Sequence, residues 1–259
     1  APVGGRTGAD DLDDAGPRLI EINTNAGGGL LNARLGRAQR ACCGPVAAML
    51  PPAGADLEQA FLAMFREEWR LQRGDAPLRR IAIVDEDPAR QYLAPEFELF
   101  RQVFAAAGLA AIIADPRELA WDGQHLRQGD AVIDMVYNRL TDFALEEPAS
   151  AALRAAYAAD GAVITPHPRA HALYADKRNL MVLSDPAALC DLGVPAATRD
   201  LLLAGIPRTV AVTAEEGERF WSERKRWFFK PAAGFGGRAA YRKSQWWGTA
   251  WPRTSARTK

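Results

Sequence analysis

The sequence predicts an α/β protein built around a parallel sheet. Three observations carry this. Short apolar runs alternate with longer amphipathic ones over residues 78–165, the order that β-α-β crossovers produce. Acids close two of the apolar runs: Asp85, Glu86 and Asp87 follow residues 81–84, and Asp115 follows residues 109–114. Open parallel sheets collect polar groups at such carboxyl ends. Finally, the 259 residues are 48% hydrophobic and 25% charged, a globular composition with room for one large domain or two small ones.

Taken in order, residues 1–17 are rich in Gly, Asp and Pro and are expected to be disordered. Residues 18–23 alternate polar and apolar and predict a short strand. A turn containing Gly27, Gly28 and Gly29 leads into an Ala/Leu/Arg helix over about 30–42. After Pro51 and Pro52, the residues Leu57, Phe61, Met64, Phe65 and Trp69 recur at three- and four-residue spacing, an amphipathic helix over 56–72. Residues 74–77 end it and mark a domain boundary. Strands are predicted at 81–84, 109–114, 131–137 and 162–165. Between them lie a helix over 95–107, with Phe97, Phe100, Val103 and Phe104 on its inner side, and a helix over 146–159. Asp122 and Gly123 signal a tight hairpin. Beyond residue 166 the pattern predicts a helix over 171–184 that contains Lys177, strands at 207–212 and 226–231, and a helix over 214–223 capped by Thr213. Residues 244–259 hold three Trp and no periodicity.

Charge narrows the function classes. Lys+Arg and Asp+Glu both number 32, which argues against a generally basic nucleic-acid binder. The balance hides two asymmetries. Residues 224–259 hold ten of the basic residues and no carboxylate, and only five basic residues in the chain are Lys: Lys177, Lys225, Lys230, Lys243 and Lys259. No apolar run reaches the roughly 18 residues of a membrane span, so neither a membrane nor a nucleic acid is an expected partner. Three Cys, two of them adjacent (Cys42, Cys43), make no disulfide framework and point to a reducing, cytoplasmic setting; Cys190 reads as a small core residue. His167 and His171 are four apart, but Pro166 and Pro168 bracket His167, so they read as loop histidines near a helix start rather than as a metal pair.

Three constellations could carry chemistry. In the first, an apolar strand delivers Lys230, then Pro231, then a turn with Gly234, Gly236 and Gly237. Glycines let backbone N–H groups approach phosphate oxygens, and a nearby Lys supplies a compact charge. No Gly-Lys-Ser/Thr follows, so this is not a Walker A loop. Lys177 joins it because a Lys departs from the chain's Arg habit; the alternative is a solvated helix residue. In the second, Glu21 and Asn23 alternate with Ile20 and Ile22, so on a strand they share a face about 7 Å apart. Mg²⁺ is held by one or two such oxygens plus phosphate and water; the alternative is a half-exposed edge strand. In the third, Arg139 follows a strand end, where its fork could clamp a carboxylate; the alternative is a surface Arg paired with Asp142.

Together these segments resemble a known family. Glu21, Ile22, Asn23 and Thr24 with Gly28, Gly29 and Leu30 look like the metal-binding strand and following turn of the eukaryotic-type glutathione synthetases. Tyr137, Asn138 and Arg139 take the place of their substrate-contacting Arg segment. Asp176 with Lys177, and Phe229 through Lys230 and Pro231 to Gly234, Gly236 and Gly237, resemble their two ATP-binding lysine segments and glycine-rich loop. The order is that of the circularly permuted ATP-grasp group, which includes glutathionylspermidine-synthase-like proteins. The resemblance covers about residues 18–240.

It implies an ATP-grasp-like fold, circularly permuted and incomplete, with a central Rossmann-like parallel α/β substrate domain. The implied segments are 18–77, the N-terminal part of the ATP-grasp portion; 78–165, the substrate domain; 166–242, the first part of the ATP-binding half; and 243–259, a non-native-looking tail. It implies an enzyme, an ATP-dependent carboxylate–amine or carboxylate–thiol ligase acting through an acyl phosphate, or an inactive fragment of one. The alternative is a non-catalytic nucleotide- or peptide-binding module of the same fold; a weaker third reading has the basic, Trp-rich end touching nucleic acid. The implied cofactors are ATP and Mg²⁺, and the implied substrates are small-molecule or peptide carboxylates and amines. By carry-over, Lys177, Lys230, Gly234, Gly236 and Gly237 bind the nucleotide, Glu21 and Asn23 bind Mg²⁺, and Arg139 orients the acyl group. The chain departs from the pattern in two places. Its glycine-rich loop lacks the carboxylate some relatives place there. Beyond Arg242 the family continues with further strands, so the family sequence is expected to end near Tyr241, with a truncation or reading-frame artefact after it.

Overall fold

The computed structural model describes residues 2–6, 16–49 and 56–232. The strands are β1 (Pro2–Arg6), β2 (Arg80–Val84), β3 (Ala110–Ala114), β4 (Leu119–Trp121), β5 (Leu126–Gln128), β6 (Ala131–Ile133), β7 (Met135–Asn138), β8 (Val163–Thr165), β9 (Thr209–Ala211) and β10 (Trp227–Pro231). The helices are α1 (Gly29–Cys42), α2 (Gly44–Met49), α3 (Leu57–Arg73), α4 (Ala94–Ala106), α5 (Ala151–Ala158), α6 (Pro168–Tyr174), α7 (Asn179–Leu183), α8 (Pro186–Asp191), α9 (Ala196–Gly205) and α10 (Gly217–Ser222). They sort into two compact units: Thr24–Ala172, and Ala1–Asn23 with Leu173–Lys259. Residues 24–77, expected with the ATP-binding portion, thus cluster with the parallel sheet.

In the unit Thr24–Ala172, four strands form a sheet in the order β3-β2-β7-β8, all neighbours parallel. Parallel neighbours need crossovers. Helix α4 joins β2 to β3, and α5 joins β7 to β8. The β3-to-β7 connection is instead a three-stranded antiparallel sheet, β4-β5-β6. Its first turn is the expected hairpin: Gly123 has φ 97°, and Asp122 Oδ1 accepts from the N–H groups of Gln124 and His125.

The period of two along a strand divides the sheet's side chains between two cores. Ile81, Ile83, Met135, Tyr137 and Val163 pack with Leu30 of α1, Phe65 and Trp69 of α3, and Phe97, Phe100 and Phe104 of α4. Ala82, Val84, Val136 and Ile164 face the other way, against Leu119, Leu126, Ile133, Leu153 and Ala156. Both faces are covered, which is why these strands read as short apolar runs.

Several sequence expectations shift for local reasons. The strand expected at 131–137 breaks at Asp134, whose Oδ2 accepts from the N–H groups of Arg79 and Arg80 at 2.9 and 2.8 Å. The helix expected from 146 begins at Ala151, because the N–H groups of Glu146 and Glu147 are taken by Asp142. On α3, Leu62, Phe65 and Trp69 face the core while Leu57 and Met64 are exposed. Asp56 caps that helix, accepting from Glu58 N–H at 3.0 Å.

In the other unit, β1 lies between β10 and β9 and is antiparallel to both. The disorder expected over 1–17 therefore fails at Pro2–Arg6. Gly and Pro disfavour a strand in isolation, but ladder bonds on both edges satisfy this backbone. Residues 18–23 go the other way: they form no strand, and Leu19 N–H is bound to the Gly205 carbonyl at 2.9 Å. Alternation fixes a face only where a neighbouring strand supplies the ladder.

The helix expected over 171–184 is two short helices, α6 and α7, with Lys177 in the turn between them. Asp176 Oδ1 accepts from Arg178 N–H at 2.8 Å, and Asn179 Nδ2 donates to the Leu173 carbonyl at 2.7 Å. These local bonds compete with helix continuation. Residue 213 does not cap α10, which begins at Gly217 behind Glu216. Val212, Phe220, Trp227 and Phe229 form this unit's buried cluster. Cys190, expected in a core, is exposed. Among the described residues no helix is long and apolar enough to cross a membrane.

Candidate functional site

Strand β10 positions Lys230. Trp227 and Phe229 are buried in the cluster with Phe220 and Val212, so alternation turns Phe228 and Lys230 to the opposite face. The turn carrying Lys177 is tied to the end of the same strand, where Lys177 N–H donates to the Ala232 carbonyl at 3.0 Å. The segment 18–23 brings Glu21 to both lysines. Glu21 Oε2 accepts from Lys230 Nζ at 2.9 Å and lies 3.8 Å from Lys177 Nζ. Three stretches of chain, the outermost pair 209 positions apart, thus meet at one carboxylate oxygen.

Lys177 is only 8% exposed, so the reading of it as a solvated helix residue is set aside. A lysine this deep is rare unless it is paired. Coulomb attraction at 3.8 Å is worth about 4 kcal/mol at an effective dielectric near 20, and desolvation of the ammonium removes much of it. The Lys230 pair, with Glu21's side chain about one-third exposed, contributes on the order of 1 kcal/mol. The Lys230 hydrogen bond holds the Glu21 carboxyl below its ordinary range. Burial opposes the shift, and the charges of Lys230 and Lys177 and a hydrogen bond from Asn23 reinforce it. Asn23 and Glu21 are therefore neighbours, though on a segment outside any strand. The nearest carboxylate in sequence, Asp176, is held by Arg178 Nε at 2.9 Å.

Glu21 and Asn23 offer one carboxylate and one amide oxygen. No group of three or more His, Cys, Asp or Glu side chains among the described residues could hold a metal ion. The pair fits a hard cation whose remaining oxygens come from phosphates, and does not form a metal site by itself. His167 and His171 serve other contacts: His167 Nδ1 accepts from Ala170 N–H, and His171 stacks on Phe143 with Nδ1 2.9 Å from Thr24 Oγ1. Gly234, Gly236, Gly237 and residues 243–259 lie outside the described residues.

Arg139 belongs to the other unit. It follows β7, its N–H donates to the Val84 carbonyl at 2.9 Å, and its side chain is buried. The pairing with Asp142 is absent. Arg139 Nη1 instead donates to the carbonyls of Ala26 and Asn25 at 3.0 and 3.3 Å, and Nε is buried without a hydrogen-bond partner. The turn at 24–29 is held from its other side by a residue the sequence reading missed. Glu96, 1% exposed, accepts from Gly28 N–H at 2.7 Å and Leu30 N–H at 2.9 Å. It thereby satisfies the start of α1, which has no side-chain cap of its own. Its spacing of four from Phe100 on an otherwise apolar face was the available signal. An added Cβ at Gly27 would lie 2.5 Å from both Arg139 Nη2 and Leu93 Cδ1, so those side chains would have to shift to admit one.

Two further polar features sit at the carboxyl ends of the parallel strands. Asp85, after β2, is pushed up to about 6 by burial, against the opposing Glu86 N–H bond and the Arg139 charge. A cavity of about 440 Å³ opens beside the loops after β2 and β3. On its wall, Arg117 binds both Asp115 and Asp87. Compared with known families and with curated proteins, the chain matches no family model and no curated sequence.

Proposed function

We propose that the unit formed by residues 1–23 and 173–259 binds the phosphates of ATP, and that the chain is an ATP-dependent carboxylate–amine or carboxylate–thiol ligase of the circularly permuted, glutathione-synthetase-like ATP-grasp kind. The single observation behind this reading is the meeting of Glu21, Lys177 and Lys230, three residues from separate segments that the family resemblance singles out, at one carboxylate oxygen. Mg-ATP, when bound, supplies the transferable phosphoryl group that activates the acid.

Each residue has a defined task. Lys177, desolvated, and Lys230 present compact charges to individual phosphate oxygens. Glu21 and Asn23 lend hard oxygens to a cation that arrives with those phosphates. Arg139 is assigned to orient the acyl group, and its buried, unpartnered Nε is a donor suited to a carboxylate oxygen. Its other contacts make it equally a positioning residue for the 24–29 turn. ADP formation tests the reading, measured with pooled carboxylic acids, pooled amines and thiols, and both together. The expected result is ADP release that depends on an acid and rises with its acceptor. Binding of Mg-ATP without any release would replace the ligase reading with a non-catalytic nucleotide-binding module.

A further inference from the structure

We propose that the cavity lined by the loops after β2 and β3 binds a neutral polyhydroxylated ligand, a sugar or a sugar-like ring. The site lies wholly within the unit Thr24–Ala172 and does not depend on the nucleotide reading above.

Asp115 and Arg117 tie the two loops together. Asp115 Oδ2 accepts from Asp87 N–H at 2.8 Å. Arg117 donates from Nε to Asp115 Oδ1 at 2.7 Å and from Nη2 to Asp87 Oδ1 at 2.8 Å. The loop after β2 is also closed on itself: Gln91 Nε2 donates to the Glu86 carbonyl at 2.6 Å, and Arg90 N–H to the Asp87 carbonyl at 2.8 Å. These bonds set the walls before any ligand arrives. The enclosed volume of about 440 Å³ is in the range that small-molecule sites occupy.

The hydrogen-bonding capacity left over selects the ligand. Among the described residues the Arg90 guanidinium has no partner. Arg117 Nη1 and Asp87 Oδ2 take no part in the bonds between the loops, and Glu118 uses only Oε2, on Gln128. Free cationic donors and free anionic acceptors therefore line one cavity. A hydroxyl group serves both at once, its proton going to a carboxylate and its lone pair accepting from a guanidinium N–H. Hydrogen bonds to ionised partners are the stronger kind, and a ring with several hydroxyls repeats the match. An anion would instead face three carboxylates, and a cation two guanidinium groups. An apolar molecule would take water from charged side chains and return no hydrogen bond.

Saturation-transfer NMR titration of the 259-residue chain tests this, without nucleotide. D-glucose, D-ribose and myo-inositol are the neutral probes; glucuronate and glucosamine are the anionic and cationic counterparts. Wild type is expected to bind at least one neutral probe with a Kd of about 1 mM, and to prefer it over both charged counterparts by at least about fivefold. Arg90→Ala and Glu118→Gln leave the Asp115–Arg117 bonds untouched and change only exposed side chains. Each is expected to weaken that binding at least about fivefold, with circular dichroism confirming the fold. Three results would overturn the proposal: no binding of any neutral probe, equal or tighter binding of glucuronate or glucosamine, or wild-type affinity in either variant.

Discussion

Replacing Glu96 by Ala is the sharpest structural perturbation in the parallel-sheet unit. Its two carboxyl oxygens each accept one backbone N–H, from Gly28 at 2.7 Å and Leu30 at 2.9 Å. No other side chain caps α1. A buried N–H left without an acceptor costs about 1–3 kcal/mol. Leu30 is fully buried and Gly28 only partly so, which places the pair near 3 kcal/mol rather than at the upper limit. Glu96→Gln keeps one acceptor oxygen and turns an NH₂ toward the other donor, so it should lose about half as much. Urea unfolding followed by tryptophan fluorescence reads the difference, since Trp69 and Trp121 both lie in this unit. A Glu96→Ala protein within about 0.5 kcal/mol of wild type would refute the reasoning. It would mean that water or a shifted turn serves these N–H groups as well as the carboxylate does.

Two other changes test the same unit. Phe65 is fully buried, with its ring 5.0 Å from Phe104 and 4.9 Å from Tyr137; Phe65→Ala should destabilise by about 3–5 kcal/mol in the same assay. Asp85 has a folded value near 6 against an ordinary 3.8, so the fold favours its neutral form. Through this group, stability is gained as pH falls from 7 toward 4 and lost as pH rises through about 6, by up to about 3 kcal/mol. Asp85→Asn should therefore be the more stable protein at pH 8, with a flatter profile between pH 5 and 8. Parallel profiles for the two proteins would show that the burial of this carboxyl does not govern the slope.

What was legible in the sequence followed from local pattern. The strands at 81–84 and 109–114 showed themselves because a sheet covered on both faces demands continuous apolar runs, and the α3 and α4 faces because Phe65, Trp69, Phe97, Phe100 and Phe104 repeat at helical spacing. Lys177 and Lys230 stood out by the scarcity of Lys in an Arg-rich chain. The rest depended on long-range partners. β1 exists through ladders to residues more than 200 positions away, which no local window contains. Glu21 and Asn23 lie outside any strand because no described strand forms a ladder with residues 18–23. Lys177 left its helix because Asp176 and Asn179 offer the backbone better local bonds. Glu96 was hidden by its chemistry, since a buried carboxyl on an apolar face looks like a solvated one until its two N–H partners are seen.

The central claim is that Lys177 and Lys230 act together on phosphate. Calorimetric titration of Mg-ATP into wild type, Lys230→Ala and Lys177→Ala tests it most directly, with circular dichroism confirming that each variant is folded. The account predicts that wild type binds and that each variant binds at least about tenfold more weakly, a loss of about 1.4 kcal/mol or more. Wild-type affinity in a folded Lys230→Ala protein would contradict it.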